Sequence, residues 1–267
     1  MVAGPTSPPG GDPRPDELLA TGDARAPSPS AARGGNRLPE GDVTAMFDEI
    51  APVYDRLNTI MTLRLDGRWR AAATAATGVG PGDSVVDVAA GTGKLAAALA
   101  DRVGPFGRVA AVDLSPRMVA LGRAATSDLV QLEFLLGNAL DLPFDDGTFD
   151  AATIAFGLRN LADFGAGFRE MRRVVRPGGR VVCLELTMPR PRWWGRIHRA
   201  TFHRLAPLVG SMVGLGETYD YLPASLEGFP DAEQLARLML AAGLVDVTIR
   251  RLGLGAVALH AGRVRGG

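Results

Sequence analysis

The chain has 267 residues, 46% of them hydrophobic and 22% charged, and its 29 basic side chains balance 29 acidic ones. That length allows one large α/β domain or two small ones around a sizeable core. Zero net charge argues against a nucleic-acid substrate held mainly through its phosphates, and one cysteine, Cys183, excludes an intrachain disulfide framework and a cysteine-cluster metal site.

Three scattered histidines make no convincing metal site, so no metal is expected. No apolar run reaches the ~18 residues of a membrane span, and no signal-peptide core is visible; a cytoplasmic protein is expected. Residues 1–40 hold eight prolines and no aromatic residue. Such a segment buries too little apolar surface to offset its chain entropy, and it reads as a disordered tail before a domain spanning 41–267. Folded structure should begin near Asp42 or Thr44, where Met46, Phe47, Ile50, Val53 and Tyr54 recur at helical spacing. Pro52 is expected to kink or break that helix, and Leu57 to Ala76 reads as one or two further helices. Tyr54 and Asp55 are polar candidates for the wall of an acceptor pocket, balanced by a packed tyrosine and a solvated acid.

The stretch SVVDVAAGTGKLA, from Ser84 to Ala96, organises the chain around it. Val85 and Val86 suit a strand buried on both faces, and Asp87 marks its end. Small residues then lead through Gly91, Thr92 and Gly93, where a backbone turns tightly and approaches a ligand closely. Lys94, the only lysine, opens a run of good helix formers. Strand, glycine turn and helix N-terminus make a nucleotide site, with free N–H groups and the positive end of the helix dipole facing it. Gly91-x-Gly93-x-x-Ala96 also satisfies the dinucleotide pattern. Asp87 favours the other cofactor class, because it would repel a pyrophosphate and assist a ligand carrying an ammonium and a sulfonium, S-adenosylmethionine. Arg108 to Asp113 is a second short strand ending in an acid, 20 residues after Gly93. That is about the spacing of ~20 at which a carboxylate meets ribose hydroxyls. Ser115-Pro116 reads as an N-cap with proline at the first helical position.

Strand and helix then alternate. Gln131 to Gly137 is a third strand with Asn138-Ala139 beyond its end, where ligands bind in open α/β sheets and an Asn could read an adenine. Phe149 to Ile154 is the fourth strand, and Arg159 and Asn160 lie at its mouth, directed toward a reaction zone. Phe164 to Val175 is a helix, Arg176-Pro-Gly-Gly179 a turn, and Arg180 to Glu185 the fifth strand. Asp231 and Gln234 form a capping-box variant at a helix that Gly243 closes. Val245–Leu252 and Ala256–Val264, joined by Gly253-Leu-Gly255, should be antiparallel.

About 45 residues separate the fifth strand from Asp231, enough for a helical lid at about 188–230. Its first part carries five arginines with Trp193, Trp194 and two histidines, and no acid occurs between Glu185 and Glu217. Arginine beside tryptophan suits an interface with anionic lipid, against the plainer reading of a basic helix over a core.

The stretches MFDEIAPVYDRLN, DVAAGTG, GNALDLPF, TIAFGLRN, VRPGGRVVCLE, YLPASLEGFPD and GAVALHAGR resemble the ubiquinone/menaquinone-biosynthesis C-methyltransferase family. The resemblance covers residues 43–264 and implies a class I S-adenosylmethionine-dependent methyltransferase, an α/β Rossmann-like sheet closed by an antiparallel hairpin. It implies a polyprenyl quinol acceptor, demethylmenaquinol or the ubiquinone-pathway benzoquinol, met at the inner face of the plasma membrane. Another small aromatic acceptor is the alternative. The cofactor residues it implies are Thr92, Asp113, Asn138 and Ala139, joined from the turn itself by Asp87, Gly91 and Gly93. Lys94 and Ala155 depart from the family pattern; the first is expected beside the cofactor's carboxylate or solvated, and the second removes a serine hydrogen bond. Arg159, with Asn160, would stabilise a forming oxyanion, and a lid side chain such as His203 would accept the phenolic proton. Tyr54 would touch the acceptor.

Overall fold

The computed structural model describes residues 40–62, 64–187 and 229–266. Two helices, α1 (Glu40–Met61) and α2 (Asp66–Thr77), precede the first strand, β1 (Ser84–Val88). Then come α3 (Lys94–Val103), β2 (Arg108–Asp113), α4 (Pro116–Ala125), β3 (Leu132–Leu136) and β4 (Phe149–Ala155). The described chain continues with α5 (Phe164–Val174), β5 (Val175–Leu186), α6 (Ala232–Ala241), β6 (Leu244–Leu252) and β7 (Val257–Val264).

These strands form one sheet in the order β3-β2-β1-β4-β5-β7-β6. The first five in that order are parallel; β7 runs antiparallel to both β5 and β6. The short Gly253–Gly255 connection leaves no room for a crossover, so β6 and β7 pair as a hairpin. Helices cover both faces, which is why Val85, Val86 and Val88 of β1 are wholly buried. On one face Phe168, Met171, Leu235 and Met239 of α5 and α6 pack against the sheet. On the other, Ala73 of α2 and Leu95 and Leu99 of α3 do so.

Helix starts obey local chemistry. The Ser115 hydroxyl accepts from Met118 N–H with Pro116 as first helical residue. Asp231 and Gln234 complete a reciprocal capping box at α6, and Asp163 accepts from Ala166 N–H at α5.

Two expectations need correction. α1 runs unbroken through Pro52, which is exposed, so the missing N–H falls where water can solvate the freed carbonyl. The turn expected at Arg176–Gly179 lies within β5: Val175 pairs with Phe149 and Arg180 with Ala151, and the extra residues bulge out between them. Gly178, at φ +84°, takes the left-handed conformation that bulge requires. The proline-rich tail, the insertion with Trp193 and Trp194, and His203 lie outside the described residues.

Candidate active site

β1 and β4 are neighbours, but the chain leaves them toward opposite edges of the sheet. Their carboxyl ends therefore open a crevice, the usual ligand position in such sheets. A cleft occupies it, with α1 across it through Val43, Phe47 and Tyr54. Tyr54 packs edge-on against Phe47, ring centroids 5.9 Å apart.

The glycine turn forms the floor. Gly93 has φ +82°, and a Cβ there would lie 2.3 Å from Phe134 Cζ, so conformation and space both demand glycine. Gly91, at φ +58°, lets the chain turn beneath Tyr54. Ala89 and Phe156, ending β1 and β4, hold φ of 51° and 59° although neither is glycine. Both line the cleft, where such strain is commonly found.

Asp113 lines the cleft beside the glycine turn. Its Oδ2 accepts from Gly91 N–H at 2.7 Å and its Oδ1 from Ser115 N–H at 2.9 Å. Each oxygen keeps a lone pair for a diol hydroxyl. Burial raises its pKa, opposed by the Ser115 and Gly91 N–H groups. Ala139 and Asn138 line the cleft beyond β3. Asn138 Oδ1 accepts from Leu140 N–H at 2.9 Å, so part of the side chain holds its own loop.

Asp87 is 1% exposed. Its Oδ1 accepts from the Thr153 hydroxyl at 2.7 Å, while Oδ2 has no hydrogen-bond partner. Burial pushes its carboxyl up to about 7, against the downward pulls of Thr153 and Arg70.

Three charged or polar side chains are placed otherwise than expected. Arg159 is 6% exposed and does not line the cleft. Its guanidinium donates to Glu185 Oε1 at 2.7 Å and to the Phe156 carbonyl at 2.9 Å, an inward pairing instead of an open oxyanion donor. Asn160, the next residue, faces the cleft in its place. The Thr92 hydroxyl lies 2.9 Å from both carboxylate oxygens of Asp55, tying the turn to α1. Lys94 Nζ lies 3.5 Å from Asp55 Oδ1 and 3.9 Å from Asp66 Oδ2, so acids of α1 and α2 occupy it.

The contacts of Glu185 and Asp48 and the place of Arg70 on the cleft wall are not disclosed by the sequence alone. Glu185 is an acid ending a buried strand, the same signal that marks Asp87. Arg70 falls with Asp66, Ala73 and Thr77 on the buried face of α2, where a charge is out of place unless it has work to do.

The cleft offers carboxylate lone pairs at Asp113 and a glycine turn at a helix N-terminus, and the buried acid Asp87 lies near the end of the strand that leads into that turn. These suit a nucleoside bearing a cationic amino-acid end. Sheet order and donor set together define a class I S-adenosylmethionine-dependent methyltransferase. The chain belongs to the ubiE/COQ5 methyltransferase family, whose profile matches residues 36–264. It is similar to the demethylmenaquinone methyltransferase of Roseiflexus castenholzii, 42% identical over 86% of this chain and 99% of that one. The Clavibacter sepedonicus protein of the same name is 40% identical over 83% of this chain and 90% of its own. Among solved structures, a methyltransferase from Thermotoga maritima described as a possible histamine N-methyltransferase shares the fold. Its TM-score is 0.59 at 19% identity, over 83% of this chain and 99% of that one. An Aquifex aeolicus methyltransferase gives 0.54 at 19% identity, over 71% and 86%. The chain is a methyltransferase, and its cofactor is S-adenosylmethionine.

Proposed function

We propose that the chain methylates a ring carbon of a polyprenyl quinol, converting demethylmenaquinol to menaquinol. The observation that carries this reading is the near full-length similarity to relatives named for that reaction. Bound S-adenosylmethionine supplies an electrophilic methyl group on a sulfonium.

The residues of the chain have three tasks. The glycine turn, Asp87 and Asp113 fix one reactant, and alignment of two held reactants supplies much of the acceleration. Tyr54 and Asn160, both facing the cleft, hydrogen-bond the ring hydroxyls and present the carbon between them. As the neighbouring hydroxyl loses its proton, electron density rises at that carbon, and polar donors stabilise the oxyanion. His203, from the insertion, accepts the proton; once the methyl group is on the ring, that carbon gives up its hydrogen as a proton and the oxyanion is reprotonated, which restores the aromatic quinol. Arg159 fixes the loop that carries Asn160 through its bond to Glu185. The long tail and anionic lipid make the protein a peripheral visitor to the inner face of the plasma membrane. No helix among the described residues is long and apolar enough to cross a membrane.

The test is to incubate the purified full chain with S-adenosylmethionine and either demethylmenaquinol or the ubiquinone-pathway benzoquinol. Mass spectrometry should find one added methyl on the naphthoquinol ring and much slower conversion of the benzoquinol. Preference for the benzoquinol, or for a small soluble phenol over both, would overturn the assignment.

A further inference from the structure

Arg70 stands apart from the other cations of the cleft. Lys94 is drawn to Asp55 and Asp66, whereas Arg70 is 9% exposed, lines the cleft, and has no hydrogen-bond partner for Nε. Its nearest acid, Asp66 Oδ2, is 3.9 Å from Nε, beyond hydrogen-bond reach. Its Cζ sits 5.4 Å from the centroid of the Phe156 ring, which supports the guanidinium at the end of β4. Asp87, with its unpartnered Oδ2, feels this charge. A buried cation with an unused polar atom therefore faces the cleft beside the glycine turn.

We propose that Arg70 anchors the carboxylate of the cofactor's amino-acid end. A guanidinium suits this task because its planar fork matches a carboxylate in two parallel hydrogen bonds, which a lysine ammonium cannot do. Asp66 restrains the arginine without saturating it, and the Thr62 hydroxyl donates to Asp66 Oδ1 at 3.2 Å to fix that carboxylate in turn. The groups whose charge acts on Asp87 are Arg70 from α2 and Asp113 from β2, with the neutral Thr153 from β4. The inference does not depend on which acceptor is methylated.

The test is binding of cofactor-site ligands by calorimetry to the full chain. S-adenosylhomocysteine carries the zwitterion; 5′-methylthioadenosine lacks it but keeps the nucleoside. Arg70→Gln should weaken S-adenosylhomocysteine by about 10- to 100-fold, the range for a charge-assisted hydrogen bond. It should leave 5′-methylthioadenosine unchanged, and Arg70→Lys should recover part of the loss. On the unsubstituted protein, decarboxylated S-adenosylhomocysteine should lose a similar factor, a measurement that needs no variant to fold. Equal loss for both nucleosides in Arg70→Gln, or full affinity for the decarboxylated ligand, would overturn the assignment.

Discussion

Asp87 shows how a buried acid can work against the fold that carries it. Its carboxyl is raised from an ordinary value of 3.8 to about 7, first by burial. Between those values the folded chain holds a proton that the unfolded chain has lost, so stability from this group falls as pH rises through the window. Above pH 7 the deficit is complete, on the order of 4 kcal/mol. Asp87→Asn keeps an oxygen for Thr153 but removes the charge. Without ligand, its thermal midpoint should gain on the parent as pH goes from 5 to 8, while S-adenosylhomocysteine binding weakens. Melting curves of the two proteins that stay parallel across that range would contradict this account. Glu185 makes the opposite case. Wholly buried, it accepts from the Arg159 guanidinium and from Leu186 N–H at 2.9 Å. Glu185→Gln leaves a buried guanidinium uncompensated and should cost about 3–5 kcal/mol in denaturant unfolding. A double replacement, Arg159→Met with Glu185→Leu, should recover much of that. If Glu185→Gln alone costs nothing measurable, the pair does not hold the loop.

α1 acts as a strap over the cleft, tied at two places. Asp48 Oδ1 accepts the Ser115 hydroxyl and, at 3.2 Å, Arg117 N–H, so α1 helps cap α4. One turn and more further on, Asp55 engages Thr92 and Lys94 of the glycine turn. Five residues of this strap, Val43, Thr44, Phe47, Tyr54 and Asp55, line the cleft, so its hold on the turn should govern ligand exit. Asp48→Ala removes one tie, worth ~1 kcal/mol, and should speed dissociation about fivefold in a stopped-flow displacement experiment. An unchanged rate would mean that Phe47 and Val43 hold the strap by packing alone. These ties also mark what the sequence could and could not disclose. The glycine turn, the acid ending β2, the Ser115 cap and the β6–β7 hairpin were all legible, because each is set within a few neighbouring residues. Arg159 looked like an open charge because its partner Glu185 lies on another strand. Thr92 and Asp55, likewise, meet only once the helices are packed. Asn138 was placed correctly at the end of β3, but the demand of Leu140 N–H on its side chain depends on the loop's own turn.

At the scale of the whole molecule, the last described residue before the insertion lies at the end of the sheet that carries the cleft. The described chain stops at Thr187, just past the carboxyl end of β5, where its N–H bonds the Ala256 carbonyl. It resumes at Phe229, which packs on Phe164 with ring centroids 5.3 Å apart. The intervening sequence is free of acids from Leu186 to Gly216 and sets Trp193 and Trp194 among Arg190, Arg192, Arg196 and Arg199. Each arginine near an anionic leaflet contributes on the order of 1 kcal/mol, so four together can hold the protein there reversibly. On the proposed function, membrane attraction and ring chemistry reside in separate residues, and the two can be separated by experiment. Replacing the four arginines with glutamine should abolish sedimentation with anionic vesicles and slow methylation of a long-tailed quinol. A short-tailed, water-soluble analogue should turn over as before, since the residues lining the cleft are untouched. If both acceptors slow equally while vesicle binding persists, the insertion serves the ring chemistry and the membrane is reached by another surface.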